Sequence, residues 1–209
     1  MINFTVLEDS SPYYIRYKHS LSDSIIDRCR QVKKKYIDSP DSIDRRKFKH
    51  IVFPNPLANE ILGLVYKSHE LNLNLERISL FITQAGHYYK PHKDGLAARF
   101  GINYTVDISD DLCQTSWYAD DLLEDRVNTD FYKNFKSREI IDFDYAKEKS
   151  SLKALKTTVF EVDEVVLFNT DIFHDVDNTR SQNERTILTL RESYGRIDFF
   201  GARKILFGY

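Results

Sequence analysis

Two cysteines in 209 residues leave no room for a disulfide framework, and neither Cys29 nor Cys113 has a second thiol at metal-binding spacing. Both read as reduced thiols in a reducing compartment, so a cytoplasmic protein is expected. Glycine and proline are also scarce, at seven and five, which argues against flexible linkers and low-complexity tracts. No apolar run reaches the length needed to span a bilayer, and the start Met1-Ile2-Asn3-Phe4 has neither a basic stretch nor an apolar segment of signal length. An excess of one charge is missing as well, since 30 Lys and Arg stand against 32 Asp and Glu. The basic residues are scattered, so no stripe offers itself to a phosphate backbone, and nucleic acid is not favoured as a partner. Aromatic side chains are plentiful, with 14 Phe and 13 Tyr. A chain of this length buries a sizeable core as one domain, 1–209, without covalent staples.

The period of the apolar positions changes along the chain. Residues 1–18 read as an edge strand or extended arm. Leu21, Ile25, Ile26, Cys29 and Val32 then recur at helical spacing, and Lys33-Lys34-Lys35 close the last turn, where the helix dipole favours cations. That pattern predicts a helix over 22–36. A second helix is predicted over about 57–72, with Leu57, Ile61, Leu64 and Val65 on one stripe. From Arg77 the period falls to two: Ile78, Leu80 and Ile82 alternate with Ser79, Phe81 and Thr83, and further strands read over 100–108, 112–118 and 185–191. Val159–Val162 and Val165–Phe168 read as a strand pair turning at Asp163-Glu164. Residues 119–151, rich in acids and aromatics, read as an insertion and a possible lid. With 1–75 as helical support and 76–118 plus 155–209 as the core, the expected fold is α+β and mainly β. It is a double-stranded β-helix, a jelly roll of the cupin type, with N-terminal helices packed on one side.

Chemistry-bearing residues gather in two distant stretches, Tyr89-Lys90-Pro91-His92-Lys93-Asp94-Gly95 and Phe173-His174, with Arg185 following. His92 and Asp94, two apart on a strand end, project to one face, and His174 from a later strand offers a second imidazole. Two neutral imidazoles and one carboxylate form the facial donor set of non-haem Fe(II), with positions left open for a co-substrate and dioxygen. Lys93, between two ligands, should face solvent. Arg185 lies eleven residues beyond His174 in a β run and is the type of group that holds a dicarboxylate by both oxygens. Thr189 shares its face. Arg99 and Asn103 share a face of the strand after the ligands and could line the same pocket, as could Tyr89. Asn178 is expected to make a turn, and His19, His50, His69 and His87 have no partner at ligand spacing.

In order, His92, Asp94, His174 and Arg185 resemble the motif of the Fe(II)- and 2-oxoglutarate-dependent dioxygenases, over about residues 78–195. Tyr89-Lys90-Pro91-His92-Lys93-Asp94 looks like the prolyl-hydroxylase form. Val166-Leu167-Phe168-Asn169, His174-Asp175-Val176 and Glu184-Arg185-Thr186-Ile187-Leu188 look more like the aspartyl/asparaginyl-hydroxylase branch. Arg185 stands where prolyl hydroxylases usually carry lysine, and Asp94 supplies a carboxylate that aspartyl/asparaginyl hydroxylases often lack. The resemblance implies Fe(II) held by His92, Asp94 and His174, with 2-oxoglutarate held by Arg185 among Thr189, Tyr89, Arg99 and Asn103. It implies use of O2 to hydroxylate an unactivated C–H bond of an amino acid, a peptide or protein side chain, or another small metabolite, releasing succinate and carbon dioxide. Two other readings stay open: a cupin-like metal protein working without 2-oxoglutarate, and a non-catalytic β-roll module binding through its aromatics. The direction of Arg185 separates the first from the oxygenase, and convergence of His92, Asp94 and His174 separates the second.

Overall fold

The computed structural model describes residues 4–37, 48–52, 56, 58–63, 75–95, 98–107, 112–127, 138–139, 143–162, 164–192 and 194–209. In chain order the strands are β1 (Thr5–Ser10), β2 (Tyr14–Lys18), β3 (Phe48–Val52), β4 (Leu75–Thr83), β5 (His87–Lys93) and β6 (Phe100–Asp107). They continue with β7 (Gln114–Trp117), β8 (Arg138–Glu139), β9 (Lys156–Thr158), β10 (Glu164–Asn169), β11 (His174–Asn178) and β12 (Arg185–Glu192). They form two antiparallel sheets, one in the order β1-β2-β10-β6-β12-β4-β3 and a smaller one in the order β8-β5-β11-β7-β9. This is the jelly-roll arrangement, in which strands distant in sequence become neighbours.

Period-two alternation in the larger sheet separates two kinds of face. Ile78, Leu80 and Ile82 of β4, Ile102, Tyr104 and Val106 of β6, and Leu188 and Leu190 of β12 join one buried cluster. That cluster also takes in Ile25 and Cys29 of α1 (Asp23–Ile37), Ile61, and Phe199, Ala202 and Leu206 of the C-terminal helix. Each such apolar side chain contributes roughly 1.5–3 kcal/mol by leaving water, so the helices are held on the outside of this sheet. The alternate positions, Phe81 and Thr83, Asn103, and Arg185, Ile187, Thr189 and Arg191, line a cleft inside the roll. The polar face of the strand after the ligands therefore looks into a site.

The helix expected over 22–36 is α1, with Asp23 in its first turn and Lys34 and Lys35 in its last. Residues 58–63 are helical, and the remainder of the second expected helix lies outside the described residues. Of the expected N-terminal arm, the described residues 4–18 give a hairpin, β1 with β2, at the sheet edge. The expected strand pair across Asp163-Glu164 is corrected: β9 ends at Thr158 and pairs with β7 in the smaller sheet, whereas β10 lies between β2 and β6 in the larger. The chain crosses between sheets there, and local alternation cannot distinguish a crossing from a hairpin. The C-terminal apolar run folds as a helix over Phe199–Phe207, capped by Asp198, whose Oδ1 accepts from the Gly201 amide at 2.8 Å.

Asn178 does more than turn the chain. It is fully buried, and its Nδ2 donates to the carbonyls of Thr83, Gln84 and Asn183 at 3.3, 3.0 and 2.7 Å. The end of β4 is thereby tied to the loop between β11 and β12, on which the spacing of His174 and Arg185 depends. No helix among the described residues is long and apolar enough to cross a membrane.

Candidate metal centre

His92 of β5 and His174 of β11 are paired directly across the ladder, and their rings lie 4.3 Å apart between centroids. One donor atom from each of His92, Asp94 and His174 lies within 4.8 Å of the others, near the span that one ion with bonds of roughly 2 Å can bridge. Both imidazoles are oriented in the same way. Nδ1 of His92 donates to the Lys90 carbonyl and Nδ1 of His174 to the Ile172 carbonyl, each at 2.9 Å. A carbonyl can only accept, so each Nδ1 carries the proton and each Nε2 keeps its lone pair for a metal.

Tyr89 and His92 are three apart, which on a regular strand would put them on opposite faces. A bulge in β5 changes the count. His92 faces His174 and Tyr89 faces Val176, so Lys90 and Pro91 together oppose the single residue Asp175. Pro91 has no N–H to give to the ladder, and a bulge is where a strand tolerates it. Tyr89 consequently lines the same cleft as His92, their rings 4.2 Å apart.

Arg185 enters this cleft from β12 and is 5% exposed. Its guanidinium lies 5.2 Å over the Phe160 ring and makes one long bond, 3.4 Å, to the Thr115 hydroxyl. Its Nε is buried without a hydrogen-bond partner, and no described carboxylate pairs with it. A buried cation in that condition is costly, so a ligand bearing a carboxylate fits the place. Thr189 and Asn103 line the cleft beside it. Gly101 leaves room there, since a Cβ on it would sit 3.2 Å from Asn103 Oδ1 and 3.4 Å from Thr189 Cγ2.

Three further placements differ from the sequence reading or were absent from it. Arg99 lies outside the cleft: β6 begins only at Phe100, and the Arg99 guanidinium instead pairs with Asp171 at 2.8 Å. Lys93 is buried, at 7% exposure, and pairs with Asp120 and Glu124 at 2.6 and 3.3 Å, because the segment after β7 covers it. Arg191 went unrecognised. Its Nη1 lies 2.5 Å from Asp94 Oδ2 and its guanidinium stands 5.1 Å over Phe81. The alternation that places Thr189 beside Arg185 places Arg191 on the same face, so the signal was present.

Burial, reinforced by His92, pushes the His174 imidazole down to about 3 against the pull of Asp94. Burial alone would raise the carboxyl of Asp94, but Arg191, then His92 and His174, outweigh it and hold it well below the usual carboxylate range. In the metal-free cluster at physiological pH, His174 is therefore neutral and Asp94 an anion. A pH dependence follows. Unfolded His174 takes up a proton below about 6.5, whereas the folded ring stays neutral to about 3. The unfolded state binds more protons in that window, so stability falls as pH drops through it, by about 1.4 kcal/mol per pH unit for this group. Chelator-treated protein is expected to lose thermal stability more steeply between pH 7 and pH 4 than a His174→Gln variant; parallel slopes in a melting series would contradict this.

No protein-family model matches the sequence, and no curated protein matches it either. Solved structures do share the fold. HygX from Streptomyces hygroscopicus, determined with nickel, 2-oxoglutarate and hygromycin B bound, superposes with a TM-score of 0.52 at 10% identity, covering 88% of this chain and 84% of that one. The epimerase SnoN, in complex with Fe3+, α-ketoglutarate and nogalamycin RO, gives 0.51 at 11% identity over 86% and 78%. The non-haem α-ketoglutarate-dependent carbocyclase SnoK from nogalamycin biosynthesis gives 0.50 at 12% identity over 86% and 79%. The chain thus shares its jelly-roll fold with these structures, and a His-x-Asp…His cluster lies inside it.

Proposed function

We propose that the chain is a non-haem Fe(II)- and 2-oxoglutarate-dependent oxygenase acting on an unactivated C–H bond of an organic substrate. One observation carries this reading: a buried guanidinium with no carboxylate partner among the described residues shares a cleft with two Nε2 lone pairs and a carboxylate. His92, Asp94 and His174 hold the metal. Arg185 takes the far carboxylate of 2-oxoglutarate through charge-assisted bonds, with the Thr115 and Thr189 hydroxyls beside it. Arg191 fixes the Asp94 carboxylate, and Tyr89 and Asn103 flank the site. Phe81, Phe168 and Ile187 give the cleft its apolar wall. When bound, iron and 2-oxoglutarate supply the activation of O2, with succinate and carbon dioxide released.

Arg185 facing the cleft favours this reading over a cupin-like protein working without 2-oxoglutarate, and the convergence of the three donors disfavours a non-catalytic module. Hydroxylation is the default outcome. The small-molecule ligands of HygX and SnoN make small molecules the first substrates to try, ahead of peptides. The deciding experiment adds 2-oxoglutarate to the Fe(II)-loaded protein without oxygen and looks for the visible metal-to-ligand band; succinate is then measured after air is admitted. Retained iron with no band would overturn the proposal.

A further inference from the structure

Residues next to the proposed ligands, on the opposite side of the smaller sheet, are occupied in an unusual way. His92 and His174 face the cleft, so Lys93 and Asp175, their chain neighbours, project to the outer face. Both are buried there, Lys93 at 7% and Asp175 at 0% exposure. What buries them is the segment between β7 and β9. Two short turns, Asp120–Leu122 and Glu124–Arg126, supply Asp120 and Glu124 to Lys93, whose ammonium also stands 4.6 Å over the Phe173 ring. The short helix Tyr145–Glu148 leads into Lys149, which pairs with Asp175 and with the Tyr118 hydroxyl, and Tyr118 itself donates to Asp175 at 2.8 Å. Leu123, Phe143 and Tyr145 pack with Tyr118 and Phe173 as a small apolar cluster, and Arg126 joins Glu148 at 2.6 Å.

We infer that the described parts of this insertion, 119–127 and 143–151, brace the metal-bearing strands from behind, with Lys93 and Lys149 as positioning residues for His92, Asp94 and His174. A lid would close over the mouth of the cleft. These contacts instead hold β5 and β11 from outside: Lys93 of β5 pairs with acids of the insertion, and Lys149 of the insertion pairs with Asp175 of β11. The positions of His92 and His174 relative to each other then depend on the outer face as well as on the ladder. The inference rests on the proposed metal site.

The test measures the affinity of the full-length protein for Fe(II), anaerobically, by competition with a chromogenic chelator. Lys93→Met and Lys149→Met each remove a positive charge from beside a cation site, so Coulomb attraction alone predicts tighter binding or none of the loss described next. Positioning predicts the opposite sign, an affinity weakened about 10-fold or more, as for other groups that orient ligands. Lys149→Arg, which keeps the charge and the donors to Asp175, recovers most of the loss. Lys149→Met strands the buried carboxylate of Asp175 and can fail to fold. Lys93→Met therefore decides the matter, because Asp120 and Glu124 are 55% and 38% exposed and stay solvated without it. Lys147→Met, in the same insertion but exposed and paired with Asp144, leaves affinity unchanged. Folded Lys93→Met protein that binds Fe(II) as well as or better than the wild type overturns the inference alone; a wild type that takes up no Fe(II) overturns the site reading and this inference together.

Discussion

Replacing His174 by alanine is expected to weaken Fe(II) binding by roughly 10²- to 10³-fold and to eliminate the 2-oxoglutarate band and succinate formation. The magnitude follows from dividing a metal-binding free energy on the order of 10 kcal/mol among three protein donors, which leaves about 3 kcal/mol for each. His174 is the informative choice because it comes from β11, whereas His92 and Asp94 come together from the end of β5. If His92 and Asp94 alone held the ion, removing His174 would change little, and the ladder pairing that sets the two rings side by side would be incidental. His174 also packs on Phe168, 4.7 Å between centroids, so some stability is lost with it, and His174→Gln keeps more of that volume. Affinity and band should fail in both variants while circular dichroism reports the same fold. A band of wild-type intensity in either one would count against a shared site.

What could be read from the sequence, and what could not, divides along the range of the interactions. The alternation in β4, β6 and β12 needs only adjacent residues, and it assigned the apolar faces that now lie under the helices and the polar faces that line the cleft. The three donors were legible because their residue types are rare in that pattern. Lys93 was misread because its burial depends on Asp120 and Glu124, 27 and 31 positions away. No local rule announces that a short turn after β7 will fold back over β5. Arg99 was misread because alternation was extended one residue beyond the start of the strand. The crossing between β9 and β10 has the same origin as the error at Lys93, since sheet membership is decided by partners distant in sequence. Tyr89 is the subtler case: simple parity puts it opposite His92, and only the bulge at Lys90 and Pro91 brings both to one face.

Arg185→Met is expected to move two quantities in opposite directions. With no carboxylate partner among the described residues and its Nε orphaned, Arg185 costs the ligand-free protein the desolvation of a cation. Methionine of similar reach, lying against Phe160, removes that cost, so the ligand-free variant should melt higher, by about 1 kcal/mol or more in stability. Truncating one side of a buried, hydrogen-bonded charge pair, by contrast, weakens the pair by about 2–5 kcal/mol. The Kd for 2-oxoglutarate should therefore rise about 10²- to 10³-fold, while Fe(II) affinity stays where it was. Arg185→Lys keeps a charge but loses the planar fork, and falls between the two. Were Arg185 an ordinary structural cation, the methionine variant would lose stability and co-substrate affinity would not single it out. On the proposed reading, Arg185 leaves the ligand-free protein less stable than an apolar replacement would, and the carboxylate it would bind offsets that cost.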